Sequence, residues 1–91
     1  MALRPAATRQ FKKDRKLLER RRWDTAHLDR VMRQICAEET LPRRYRVHAL
    51  KGKFEGHREC HLEPDFLLIW YATEEEVVFV RAGSHSDLFG E

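Results

Sequence analysis

The sequence predicts an α+β domain in which an N-terminal helical hairpin packs on a small antiparallel β-sheet. Three observations carry this. Residues 8–39 have helical composition, and their second half places apolar side chains at the 3–4 spacing of one buried face. Residues 57–63, 66–72 and 77–81 are strand-like runs separated by short turn-forming segments. The chain has 91 residues, enough for one core and too few for two, so a single domain is expected over residues 1–91.

Residues 2–7 are weakly patterned and suit an edge strand, because Pro5 has no N–H to give a central one. Thr8 is placed to cap a helix running to about residue 22. Its apolar residues, Phe11, Leu17 and Leu18, are few, so the buried stripe is narrow. Trp23-Asp24 is the break. Asp24 caps a second helix over 25–39, and Trp23 and Leu28 stand where a hydrophobic staple forms. Leu28, Val31, Met32, Ile35 and Cys36 give that helix its buried face. So short a break makes the pair an antiparallel hairpin.

Pro42 ends the helical part, and residues 45–50 read as a short strand. Lys51-Gly52-Lys53-Phe54-Glu55-Gly56 lacks the Gly-Lys-Ser/Thr ending of a nucleotide loop and reads as a hairpin connection. Over 57–63, Arg58, Cys60 and Leu62 point one way while His57, Glu59, His61 and Glu63 point the other. Pro64-Asp65 turns the chain. The run 66–72 is apolar on both faces, as in a central strand covered on both sides or on one side and by a partner. An acidic turn over 73–76 leads to a β-branched strand over 77–81, Gly83 turns the chain, and 84–89 form a short C-terminal segment.

Lysine and arginine outnumber acids 18 to 15, and the sequence pI is about 9.1. The excess is concentrated: residues 9–22 carry Arg9, Lys12, Lys13, Arg15, Lys16, Arg20, Arg21 and Arg22 against Asp14 and Glu19. Such a stretch is either a solvated helix face or a surface for an anionic partner, nucleic acid or an acidic protein segment. Cys36 and Cys60 form no CxxC pair and read as reduced thiols, with a single disulfide as the alternative. No apolar run reaches the roughly 18 residues of a membrane span, and residues 1–7 lack the apolar core of a secretory signal. A soluble, cytoplasmic protein with no membrane partner is expected.

A meander brings polar residues together. Strand 57–63 rises to the turn at 64–65, strand 66–72 descends, and strand 77–81 rises again beside that turn. Arg81 and the tail with His85 therefore return to the edge holding His61, Glu63 and Asp65. If 45–50 pairs with 57–62 through the glycine loop, His48 stands opposite roughly Glu59. A zinc site from His48, His61, His85 and Asp65 is one possible use, but no pair has zinc-motif spacing and the surroundings are positive, so no metal or other cofactor is expected. Ser84 and Ser86 flank His85 without a nucleophile-elbow pattern. Acid–base cleavage of RNA fits better. The substrate's own 2′-hydroxyl attacks, and the protein needs only a base, an acid and cations for the phosphorane charge. Histidine suits both proton transfers, Arg81 suits phosphate, and Phe66 or Phe89 suits base stacking. The alternative is a set of ordinary polar residues at strand ends.

The run His57-Arg58-Glu59-Cys60-His61-Leu62-Glu63-Pro64-Asp65-Phe66-Leu67-Leu68-Ile69-Trp70, with Val80-Arg81-Ala82-Gly83-Ser84-His85-Ser86-Asp87-Leu88-Phe89, resembles the YafQ-type toxins of the RelE/ParE superfamily. Tyr45-Arg46-Val47-His48-Ala49-Leu50-Lys51-Gly52 is similar to the segment before that family's glycine loop. The resemblance implies a RelE-like microbial ribonuclease fold and a type II toxin that cleaves messenger RNA in the ribosomal A site without a metal. It implies neutralisation by a DinJ-like antitoxin, in a heterotetramer. By position it implies His48, His61, Asp65 and His85 as catalytic residues, with His85 and Asp65 as the acid/base pair. It implies Arg81 on the scissile phosphate and Phe89 as the functional C-terminal aromatic. Phe66, Lys51 and Lys53 join them as expected substrate-binding residues. The chain departs from the family in having Phe66 for its usual tryptophan and Ala49 for its usual proline. The competing readings are a ParE-like toxin that inhibits DNA gyrase without catalysis, and an inactive relative that only binds antitoxin or RNA.

Overall fold

A computed structural model describes residues 2–90; Met1 and Glu91, the ends of the expected 1–91 domain, lie outside the described residues. The chain runs β1 (Arg4–Ala7), α1 (Arg9–Arg20), α2 (Thr25–Cys36), a 3-10 turn (Arg43–Tyr45), β2 (His48–Ala49), a second 3-10 turn (Gly52–Phe54), β3 (Arg58–Glu63), β4 (Phe66–Ala72), β5 (Glu76–Gly83) and α3 (His85–Phe89). One five-stranded sheet has the order β1-β5-β4-β3-β2. From β2 to β5 it is the expected antiparallel meander. The N-terminal edge strand is present too, but it lies parallel to β5, from Arg4 opposite Glu76 to Ala7 opposite Phe79.

Both expected caps form: the Thr8 hydroxyl accepts from the Phe11 N–H at 3.0 Å, and Asp24 accepts from the His27 N–H at 2.9 Å. Both helices stop before the expected residues 22 and 39. Each closes on a Schellman motif. Trp23 N–H reaches the Leu18 carbonyl and Arg22 N–H the Glu19 carbonyl; Glu39 and Glu38 repeat this on Gln34 and Ile35. The left-handed residues are Arg22 and Glu38, at φ 61° and 59°, where glycine would normally mark the stop.

The main core lies between the helices and the sheet: Phe11, Leu18, Leu28 and Val31 meet Cys60, Leu62, Phe66, Leu68, Trp70 and Phe79. A smaller cluster on the opposite face joins Leu67, Ile69 and Leu88 to Leu50, Phe54 and Val80. β4 thus buries alternate side chains in both layers, as its two-faced apolarity predicts. The segment 45–50 is less regular than expected. Arg46 is left-handed, at φ 50° and ψ 48°, and only His48 and Ala49 pair with β3. Cys36 and Cys60 are free thiols. Burial pushes Cys60 up to about 12, so it stays protonated at neutral pH. Among the described residues no helix is long and apolar enough to cross a membrane.

Candidate active site

The strand register brings the histidines into one row. His48 pairs with Glu59, as the glycine-loop hairpin requires. The rings of His48 and His61 are 6.0 Å apart, and those of His61 and His85 are also 6.0 Å apart. The third member arrives because β5 runs back to the turn, with Gly83 opposite Leu67. Gly83 has φ 154°, and a Cβ there would lie 2.9 Å from an Asp87 oxygen. The next residue, Ser84, caps α3 with Asp87 in a reciprocal capping box, which leaves His85 as the first residue of the helix.

Asp65 holds His85 twice. Its Oδ1 accepts the His85 backbone N–H at 2.8 Å and the ring Nδ1–H at 2.7 Å. A carboxylate only accepts, so the ring proton sits on Nδ1 and Nε2 is the nitrogen left for chemistry. These two bonds, the backbone one first, hold the Asp65 carboxyl below the usual aspartate range. Asp87 is held down to about 2, chiefly by Arg21, whose guanidinium donates to both its oxygens at 2.7 and 3.2 Å. That pair straps the short helix α3 to the end of α1.

Glu59 is the group that sequence reasoning left out. It is only 5% exposed. Its Oε1 lies 3.1 Å from His48 Nε2 and 3.7 Å from His61 Nε2, while its buried Oε2 has no partner among the described residues. His48 Nδ1 donates to the Arg46 carbonyl at 2.6 Å, so both nitrogens of that ring face acceptors. The alternation along 57–63 and the His48 register were the available signals for Glu59.

His48, Glu59 and His61 offer donor atoms within 4.8 Å of one another, a set able to hold a metal ion. Donors around a tetrahedral zinc stand about 3.4 Å apart, so these side chains must draw together to fit one. The set differs from the one weighed from the sequence. Asp65 already takes His85 Nδ1, and Glu59 stands in their place.

Two expected substrate contacts are placed differently. Phe66 is 2% exposed, in the main core, with its ring 5.0 Å from Trp23. It shares the helix-packed side of β4 with Leu68 and Trp70 and offers no face to a base, which corrects the stacking expectation. Arg81 is taken up by the protein: Nε donates to buried Asp14 at 2.8 Å, and Nη2 to Asp14 at 3.2 Å and the Asp87 carbonyl at 3.3 Å. Asp14 also accepts the Ala82 N–H and the Gln10 amide. Phe89 is 42% exposed, with its ring 6.5 Å from His85 and 6.1 Å from Phe54. Lys51 and Lys53 are exposed, with Lys53 Nζ 5.5 Å from the Phe54 ring. At the row's centre His61 and His85 line an open cleft of about 500 Å³ with Arg44, Arg46 and Glu63.

The model of the bacterial toxin of type II toxin-antitoxin systems, YafQ, matches residues 3–90. The mRNA interferase toxin YafQ of Escherichia coli strain K12 is 38% identical over 82 residues, 89% of each chain. Among solved structures, the E. coli DinJ-YafQ toxin-antitoxin complex is similar with a TM-score of 0.90 and 34% identity, over 99% of this chain and 100% of that one. A metal-bound toxin from Helicobacter pylori is similar with a TM-score of 0.89 and 38% identity, over 96% and 99%.

Proposed function

This chain belongs to the YafQ family of bacterial type II toxins, and from that premise we propose that it is an endoribonuclease that cleaves messenger RNA on the ribosome by metal-free acid–base chemistry. The observation that carries the reading is the row His48–His61–His85, with Asp65 fixing the tautomer of its last member.

In the proposed reaction the substrate's 2′-oxygen attacks the adjacent phosphorus as its proton leaves to a base. The 5′-oxygen of the next nucleotide departs as an acid protonates it. His85 Nε2 serves one of these transfers, with Asp65 stabilising the charged ring. Asp65, the partner expected from the sequence for the second transfer, is instead assigned to orienting His85, because its Oδ1 already accepts two bonds from that residue, so His61, with His48 and Glu59 behind it, serves the other. Splitting the two roles between different rings lets both protons move in one displacement. Phe89, at the His85 end of the row, stacks on a flanking base. The E. coli relative is seen with DinJ, and the same kind of partner, a DinJ-like antitoxin in a heterotetramer, neutralises this toxin. Its place of action is the cytoplasm, where ribosomes present messenger RNA.

Primer extension on a translating message, with chelator present, tests the reading. New 5′ ends that need ribosomes and disappear with His85→Ala are expected. Intact message together with inhibition of DNA supercoiling would replace this reading with the ParE-like one.

A further inference from the structure

We propose that Arg46, steadied by Arg44, forms the phosphate-binding subsite of the cleft and binds the backbone of single-stranded RNA beside His61 and His85. The proposal rests on the endonuclease reading and supplies what that site otherwise lacks. A phosphorane needs a cation beside the two proton-transfer groups. Arg81, the residue expected for it, has Nε and Nη2 committed to Asp14 and the Asp87 carbonyl. Lys53 stands by Phe54, next to Phe89, and does not line the cleft.

Arg44 and Arg46 line the cleft with His61 and His85. Both are exposed, and among the described residues neither guanidinium is paired with a carboxylate. Arg44 lies 4.9 Å over the ring of Tyr45, a buried residue whose hydroxyl is 2.8 Å from His27 Nε2. A guanidinium stacked on an anchored ring loses less freedom when it takes a ligand. Arg46 is held differently. Its backbone is left-handed, a conformation that costs a residue with a Cβ about 1 kcal/mol and that glycine or asparagine would adopt more readily. That kink aims the Arg46 carbonyl at His48 Nδ1, 2.6 Å away. One residue thus fixes a histidine through its main chain and supplies a planar, permanently charged fork suited to two phosphate oxygens. Glu63 is the acid that shares the cleft, so the two arginines set its charge.

The test uses the full chain and a short single-stranded RNA whose nucleotide before the cleaved bond is 2′-deoxy, together with cleavage of ribosome-bound message. Arg46→Ala is expected to weaken RNA binding by about tenfold and to lower kcat by at least as much, because the same fork faces the charge that develops on the phosphorane. It should also lower the salt dependence of binding by about one phosphate contact. Arg46→Lys should recover part of the loss, and Arg44→Ala should show a smaller one. Antitoxin affinity and the circular-dichroism spectrum should be unchanged. If wild type binds RNA but cuts no message, the nuclease reading falls, and the binding arm alone decides the subsite. Wild-type RNA binding by the Arg44→Ala, Arg46→Ala double variant overturns the proposal. The same holds if that variant loses only antitoxin affinity, which would make the patch a protein-docking surface.

Discussion

Asp65 and His85 lie twenty residues apart and meet at one oxygen: Asp65 Oδ1 accepts both the backbone N–H and the ring Nδ1–H of His85. The first bond places the start of α3 and the second sets the ring's tautomer. A change at either residue should therefore act on proton transfer more than on folding. His85→Ala is expected to lower kcat for message cleavage by about 10²–10⁴-fold, the usual worth of a general acid or base. Asp65→Asn should lower it less, because the amide oxygen still accepts the same protons. Growth arrest by His85→Ala at the wild-type level would remove His85 from the reaction.

Glu59 is the second test. A buried acceptor without a partner costs about 1–3 kcal/mol, and here that cost is met beside two histidines, whose Nε2 atoms lie 3.1 and 3.7 Å from Oε1. Glu59→Gln is expected to lower kcat at least tenfold and to move the pH profile of cleavage, while the melting temperature stays level or rises. A parallel loss of stability and activity with an unmoved pH profile would reduce Glu59 to a packing residue.

Phe66 and Phe89 should separate cleanly. Phe66 is core, so Phe66→Ala is expected to destabilise by about 3–5 kcal/mol. Phe66→Leu should lower the melting temperature yet leave kcat within a few-fold. Phe89→Ala should do the reverse, keeping stability and losing cleavage. Tight folding together with lost cleavage in Phe66→Leu would restore the stacking role.

The difference between these phenylalanines explains much of what the sequence concealed. Alternation located Glu59 and His61 on one side of 57–63 because that strand mixes polar and apolar residues. It was silent over 66–72, where every residue but the last is a large apolar one, so the side Phe66 takes was unreadable. Arg81 looked free because Asp14 is 67 residues away. The left-handed backbone at Arg22, Glu38 and Arg46 carried no glycine to announce it, so two helices were drawn too long and 45–50 too regular. The histidine row was legible because short turns leave a meander little choice of register.

Acid should loosen α3 before the core. The Asp87 carboxyl lies at about 2 in the folded chain against an ordinary 3.8. A lowered folded value means that its stabilisation is complete above about pH 4 and is lost as pH falls toward 2. Melting temperature measured across that window should fall less for Asp87→Asn than for wild type, from a lower starting point, and Arg21→Ala should behave likewise. Identical slopes for all three would discount the strap.

Metal should inhibit. Zinc or copper(II) drawn to His48, Glu59 and His61 takes nitrogens the reaction needs. Micromolar zinc is expected to stop cleavage, chelator to restore it, and Glu59→Gln to weaken zinc binding in calorimetry. Activity that depends on added metal, or zinc affinity indifferent to Glu59, would contradict this.

The central claim is that the substrate's 2′-hydroxyl is the nucleophile and that protein side chains move the protons. A ribosome-bound message carrying one 2′-deoxynucleotide immediately before the cleaved bond tests it most directly, with chelator present. The ordinary message should be cut to a 2′,3′-cyclic phosphate and a 5′-hydroxyl, and the deoxy message should stay whole. Cutting of the deoxy message at the same bond would contradict the account.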